Sequence, residues 1–138
     1  MDWSLELVVV PVSDVDRAKA FYIDNAGFLE LVDTRVGDQF RVVQLTPPGS
    51  ACAIAMGTFE QGEPGSLKGM HVVVADIEAA RAELVGRGTE VSDFFHFEPT
   101  GRKPGLDPER SSYNSFVEFS DPDGNGWLVQ EVRRPEAG

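Results

Sequence analysis

The chain repeats itself. When residues 10–20 are moved by 62 positions they fall on residues 72–82. Val10 then meets Val72, Asp14 meets Asp76, Val15 meets Ile77, Asp16 meets Glu78 and Ala18 meets Ala80. A valine-rich run, an aspartate and an apolar face at helical spacing make a strand, a cap and a helix. One such unit is common in any α+β protein. Two in the same order and register require the chain to build the same module twice.

The rest of each repeat follows from turn chemistry and period. Leu5 to Val12 is an apolar strand. Ser13 and Asp16 resemble a capping box for a helix carrying Val15, Ala18, Phe21 and Tyr22 on one face. Asn25, Ala26 and Gly27 stop it. Strands are predicted over 28–36, 40–45 and 51–56, separated by Gly37-Asp38 and by the turn at Pro47 to Ser50. The module is therefore βαβββ, over about 5–57. Residues 58–68 read as a connector. The second module, about 69–132, has strands over 70–74, 91–97, 113–119 and 127–132. Its helix opens at the N-cap Asp76 and ends near Gly86 and Gly88. Asp121 to Gly126 reads as a turn built from Asp, Gly and Asn, and Trp127 as a residue packed under the helices. The tail 133–138 is polar and expected to fray. With 138 residues the whole is expected to be a single domain.

Charge narrows the partners. Twelve Lys and Arg against 23 Asp and Glu give a formal charge of −11. Such a surface repels phosphate backbones and anionic membranes, so neither nucleic acid nor a membrane is an expected partner. No apolar run nears the ~20 residues of a membrane span. The N-terminus has neither a basic region nor a small-residue cleavage site, and the one cysteine, Cys52, reads as structural. The expected address is the cytoplasm.

Three features coincide: Val12 to Tyr22, its repeat at Val74 to Arg81, and Asp121-Pro-Asp-Gly-Asn125 before the last strand. Together they resemble the vicinal oxygen chelate superfamily of glyoxalases, bleomycin-resistance proteins and extradiol dioxygenases, over roughly 5–132. The resemblance implies an α+β fold: two βαβββ modules in a cupped, open, barrel-like mixed sheet. The helices lie on the convex face, the ligand lies in the concave face, and the chain forms a homodimer. It also implies a divalent metal held by His, Gln or Glu. The implied positions are seven residues before each helix-opening aspartate and three after the loop asparagine. Here they hold Leu7, Gly69 and Leu128. None is a donor for a hard cation.

Other residues are candidates for the cup. His71 lies two positions after Gly69, so strand parity puts both on one face, and Gln130 stands in the same relation to Leu128. Val9 is the counterpart of His71 at the repeat offset. His71 is a ligand contact or a general base, and burial is expected to keep its ring neutral. Phe95 and Phe97 share a face and could wall an apolar pocket, with His96 opposite. Residues 98–112 form a long loop carrying Arg102, Lys103 and Arg110. It could act as a lid or orient an anionic group, and Tyr113 stands at its exit. Glu6 and Glu131 are each one residue out of parity with the implied positions. They read as acids at exposed strand edges, unless bulges in both strands gather Glu6, His71 and Glu131 into a shifted metal site.

Three functions fit these residues. One is a small-molecule binding protein without a metal or other cofactor, using Val9, His71, Phe95, Phe97, Tyr113 and Gln130. The second is a glyoxalase- or dioxygenase-like metalloenzyme with shifted ligands. The third is a metal-free isomerase or lyase with His71 as base.

Overall fold

Two aspartates start the two halves. In the computed structural model, which describes residues 1–133, Asp14 caps helix α1 (Val15–Ala20) and Asp76 caps helix α2 (Ile77–Gly86). Each has an extended backbone, with φ −140° and ψ 107° at Asp14 and φ −136° and ψ 100° at Asp76. Each carboxylate accepts a hydrogen bond at 3.1 Å from the backbone three residues on, Arg17 N–H and Ala79 N–H. The repeat seen in sequence is a repeat of this capping geometry. The expected capping box at Ser13 and Asp16 does not form. Ser13 instead donates to Asp123 at 2.6 Å, and Asp14 does the capping alone.

The chain divides into two compact units. The first comprises residues 1–68 with 121–125. The second comprises 69–120 and 126 onward. In the first, β1 (Leu7–Val9), β2 (Leu29–Val36), β3 (Phe40–Thr46) and β4 (Ala53–Gly57) form a sheet of order β1-β4-β3-β2. β1 runs parallel to β4 and the other pairs are antiparallel. In the second, β5 (Met70–Val74), β6 (Phe95–Glu98), β7 (Gly101–Pro104), β8 (Phe116–Ser120) and β9 (Gly126–Glu131) take the order β5-β9-β8-β6-β7. β5 is parallel to β9. Without β7, the second sheet repeats the first strand for strand. Each sheet is mixed and keeps two free edge strands, in line with the open, mixed sheet expected from the sequence.

β7 is the main departure. Residues 98–112 were expected to be a loop, yet Gly101 to Pro104 pairs back on β6 as a hairpin. The strands expected over 91–97 and 113–119 are shorter, starting only at Phe95 and Phe116. Helix α1 also runs on into a π-helical turn, Phe21–Asn25, before Gly27 turns the chain at φ 78°. The tail expected to fray lies, beyond Arg133, outside the described residues. Among the described residues no helix is long and apolar enough to cross a membrane.

Each sheet has a helix face and an opposite face, called open below, although β4 of the first sheet is buried on both. In the first unit Val43 and Leu45 are fully buried on the α1 side. Arg41, on the same face, joins Asp33 of β2 at 3.0 Å and Asp16 of α1. Hydrogen bonds from Arg41 and then from Lys19, the latter at 2.7 Å, draw Asp33 well below the usual carboxylate range. The core also includes Tyr22, whose hydroxyl donates to Asp121 at 2.7 Å. The other oxygen of Asp121 accepts the backbone N–H groups of Asp123, Gly124 and Asn125. Asn125 bonds onward to the Pro11 carbonyl and to Leu67 N–H. A Cβ at Gly65 would lie 2.1 Å from the Asp123 carbonyl, so only glycine lets the connector pass this loop. The turn read from sequence is thus a buried polar hub.

Tyr22→Phe keeps the ring and removes one donor from a buried carboxylate. The expected cost is about 1–3 kcal/mol in urea denaturation. A loss within experimental error would mean that the hub does not hold the first unit together.

Candidate functional site

Parity in β9 sorts the second unit. Trp127, Val129 and Glu131 are buried on the α2 side, while Leu128 and Gln130 turn to the open face. The register carries this face across the sheet. His71 pairs with Leu128 and Val73 with Gln130. Gln130 and Leu128 pair with Phe116 and Glu118. Phe116 pairs with Phe95, and Phe97 with Arg102. His71, Gln130, Phe95 and Phe97 therefore share one face, as the sequence suggested. In the first unit Val9 is exposed and paired with Ala55.

The open face carries an aromatic cluster in which Phe95 and Phe116 are buried. Phe95 and Phe116 stack with ring centroids 5.4 Å apart, and Phe97 meets both edge-on at 6.0 and 5.4 Å. The Arg102 guanidinium lies 3.5 Å over the Phe95 ring and pairs with Glu118 at 3.1 Å. Phe95 is thus held between a cation and a second ring. Phe97 remains 49% exposed. Phe97 is therefore the ring of this cluster open to a ligand, and the buried Phe95 and Phe116 support it from beneath.

The polar groups are already oriented. His71 Nδ1 lies 2.7 Å from the Gly69 carbonyl, which can only accept, so Nδ1 carries a proton. Nε2 has no partner among the described residues. The side chain is exposed, so the burial expected to keep it neutral is absent. Gln130 donates to the Tyr113 carbonyl at 2.9 Å. Tyr113 itself has φ 75°, strained for a residue with a Cβ, and a side chain largely in solvent.

Glu131 corrects the sequence reading. It was placed at an exposed edge and is fully buried. Its carboxylate accepts Ile77 N–H at the start of α2 and two bonds from Arg110, at 3.1 and 2.8 Å. Arg110 holds the carboxyl below its ordinary range against the opposing effect of burial. β5 and β9 pair without a bulge, so Glu131 and His71 face opposite sides of the sheet. The shifted metal triad is therefore not assembled. Glu6 lies in the exposed segment before β1. Among the described residues no three His, Cys, Asp or Glu side chains gather where a metal could sit. The positions at which a metal was implied offer only Leu7, Gly69 and Leu128, which do not fit one.

His96 is a polar anchor that the sequence did not disclose. It is buried on the side opposite Phe95 and Phe97. Nδ1 faces the Gly105 carbonyl at 2.8 Å and Nε2 faces Glu98 at 2.8 Å. Both partners accept, so only the doubly protonated ring satisfies both. The Gly105 carbonyl, then Glu98, raise its pKa. Parity placed His96 off the aromatic face, but sequence carries no signal that Gly105 would return to it.

Residues 4–129 match the family described as Glyoxalase/Bleomycin resistance protein/Dioxygenase superfamily. The chain belongs to this superfamily. Solved structures of its members resemble the chain over nearly its whole length. TnmS3, an antibiotic binding protein from Streptomyces sp. CB03234, is 32% identical with a TM-score of 0.73, covering 95% of this chain and 97% of its own. A glyoxalase/bleomycin resistance protein from the same Streptomyces is 34% identical with a TM-score of 0.69, covering 92% and 99%. A superfamily member from Sphaerobacter thermophilus DSM 20745 is 26% identical with a TM-score of 0.71, covering 94% and 98%. No curated protein matches the chain.

Two predictions concern the supports of this glyoxalase-fold site. Glu131→Gln removes the buried one of the two carboxylates that pair with Arg110, leaving it the exposed Glu78. We expect a loss of about 2–3 kcal/mol, below the usual figure for a buried pair because Arg110 is partly exposed. Chemical denaturation measures it. His96 has a raised folded pKa, so its contribution is complete below the unfolded imidazole value of about 6.5 and is lost as pH rises through the folded value. The stability difference between the native protein and His96→Gln should therefore be larger near pH 6 than near pH 9. A pH-independent difference would refute the double-donor assignment.

Proposed function

We propose that the protein binds a small, largely apolar molecule on the open faces of its sheets and holds it without transforming it. It works in the cytoplasm, as a homodimer and without a metal. The observation that carries this reading is the aromatic open face formed by Phe95, Phe97 and Phe116, with Gln130 and His71 as its polar members. The 32% identity to an antibiotic binding protein over 95% of the chain supports the same reading. Ligand contacts are assigned to Val9, His71, Phe95, Phe97, Tyr113 and Gln130.

Catalysis by His71 has less support. Its Nδ1 donates to the Gly69 carbonyl, and no carboxylate orients the ring as one would in an acid–base pair. Metal catalysis lacks support from Leu7, Gly69 and Leu128, which have no donor atoms to offer. Dimerisation is supported by apolar side chains left in solvent away from the ligand contacts, among them Leu29, Leu31 and Val36 of β2. A second copy would cover them.

Native mass spectrometry of the purified chain is the direct test. A bound small molecule at one per site is expected, with no stoichiometric zinc, nickel, iron or manganese. His71→Ala should weaken that molecule's binding by about 1–2 kcal/mol. Val72→Ala, on the helix face, should instead cost about 1–3 kcal/mol of stability and leave affinity nearly unchanged. Light scattering near 10 µM should give twice the chain mass. A tightly bound transition metal would sink the metal-free reading, and a monomeric mass would sink the dimer.

A further inference from the structure

β2 is an edge of the first sheet, and among the described residues it pairs only with β3. It has eight residues, against three, five and four in the edge strands β1, β5 and β7. Val32 is half-buried and the rest of the strand is exposed. A long edge offers unpaired N–H and C=O groups to any strand that fits, and charges or proline usually blunt it. β7 is blunted in that way by Arg102, Lys103 and Pro104. β2 instead leaves Leu29, Leu31 and Val36 in solvent, with Phe40 of β3 exposed opposite Val36.

Between Glu30 and Val32 the register shifts, and from Val32 to Val36 it is regular. This stretch, Val32-Asp33-Thr34-Arg35-Val36, is complementary to itself when reversed about Thr34. Asp33 and Arg35 pair with Val43 and Arg41 of β3, so both point to the helix side. Val32, Thr34 and Val36 pair with Gln44, Val42 and Phe40 and take the other face. A second β2 laid antiparallel about a two-fold axis normal to the sheet keeps each face on its own side. With Thr34 opposite Thr34, Asp33 meets Arg35 of the second copy and Val32 meets its Val36. Moving the axis to Asp33 or to Arg35 sets like charges face to face.

The residues needed for this register have capacity to spare. Arg35 stands opposite the like-charged Arg41, and its carboxylate contact is Asp16 at 3.7 Å. Asp33 accepts two bonds from Arg41 and one from Lys19, which leaves one of a carboxylate's roughly four acceptor sites open. Val36 would lie between Phe40 and Val32 of the second copy, out of water.

We propose that β2 is the dimer interface: two copies join edge to edge and antiparallel, with Thr34 on the two-fold axis, so that their four-stranded sheets run on into each other. The assignment rests on the homodimer reading above and gives that dimer its surface and register.

Cross-linking of the full chain in a Cys52→Ala background tests it. Thr34→Cys should form an intermolecular disulfide under mild oxidation, because opposed Cα atoms in an antiparallel pair are about 4.5–5.5 Å apart. Val36→Cys should not, since the two copies of residue 36 would be about 13 Å apart along the strands. Val32→Cys and Val36→Cys in one chain should restore the cross-link. Thr34→Lys sets two ammonium groups face to face and should raise the dimer dissociation constant about tenfold in sedimentation, with unchanged far-UV circular dichroism. A native dimer in which Thr34→Cys gives no cross-link, or in which Val36→Cys alone cross-links as readily, overturns this interface and leaves the homodimer to another surface. So does a Thr34→Lys protein that dimerises as tightly as the native chain. A monomeric native chain overturns the interface and the homodimer together.

Discussion

The first unit depends on one carboxylate. Asp121 accepts from three successive backbone N–H groups with one oxygen, and from Tyr22 and Asn125 with the other. It is 5% exposed, so each of these bonds is made away from water, where an unmet acceptor is costly. Tyr22 lies in the π-helical turn, Pro11 follows β1, and Leu67 ends the connector. The hub thus fixes three segments that no sheet ladder joins. Glu131 plays the matching part in the second unit, tying the start of α2 and the loop at Arg110 to β9.

Glu131 lies on the helix side of its sheet and leaves the other side to His71, Gln130 and the aromatic cluster. Buried charges on the helix faces are matched, as Arg41 with Asp33 and Arg110 with Glu131 show. The open face of the second sheet has rings, one glutamine already turned by Tyr113, and one histidine held by a carbonyl. On the binding function proposed above, such a face would select by shape and stacking first and by a few oriented polar atoms second. Rigid supports on the helix side lower the ordering cost of binding on the other.

Much of this was legible in the sequence because period and parity are local. The repeat pointed to Asp14 and Asp76, and both cap helices with nearly the same backbone angles. Alternation placed His71, Leu128 and Gln130 on one face, and Phe95 with Phe97. The side-chain misses, at Glu131 and Ser13, are long-range. Nothing near Glu131 in sequence says that Arg110, 21 residues away, will neutralise it. A charged residue next to a polar strand end reads as exposed unless its partner is known. The β7 hairpin escaped notice because Gly101, Arg102, Lys103 and Pro104 have poor strand propensity, and pairing with β6 overrides it. Ser13 looked like a cap because its true partner, Asp123, is 110 residues distant.

The placement of residues 121–125 bears on how the chain can be made and divided. The first unit's strands and helix are all complete by Lys68, yet the acceptor for Tyr22 is supplied only once translation has reached Asp121. The two halves of the duplication are therefore not interchangeable parts. Cutting the gene at the connector yields a first half with every element of its sheet and without the carboxylate that organises its centre. A split or permuted version of this protein has to carry residues 121–125 with the first half to remain whole.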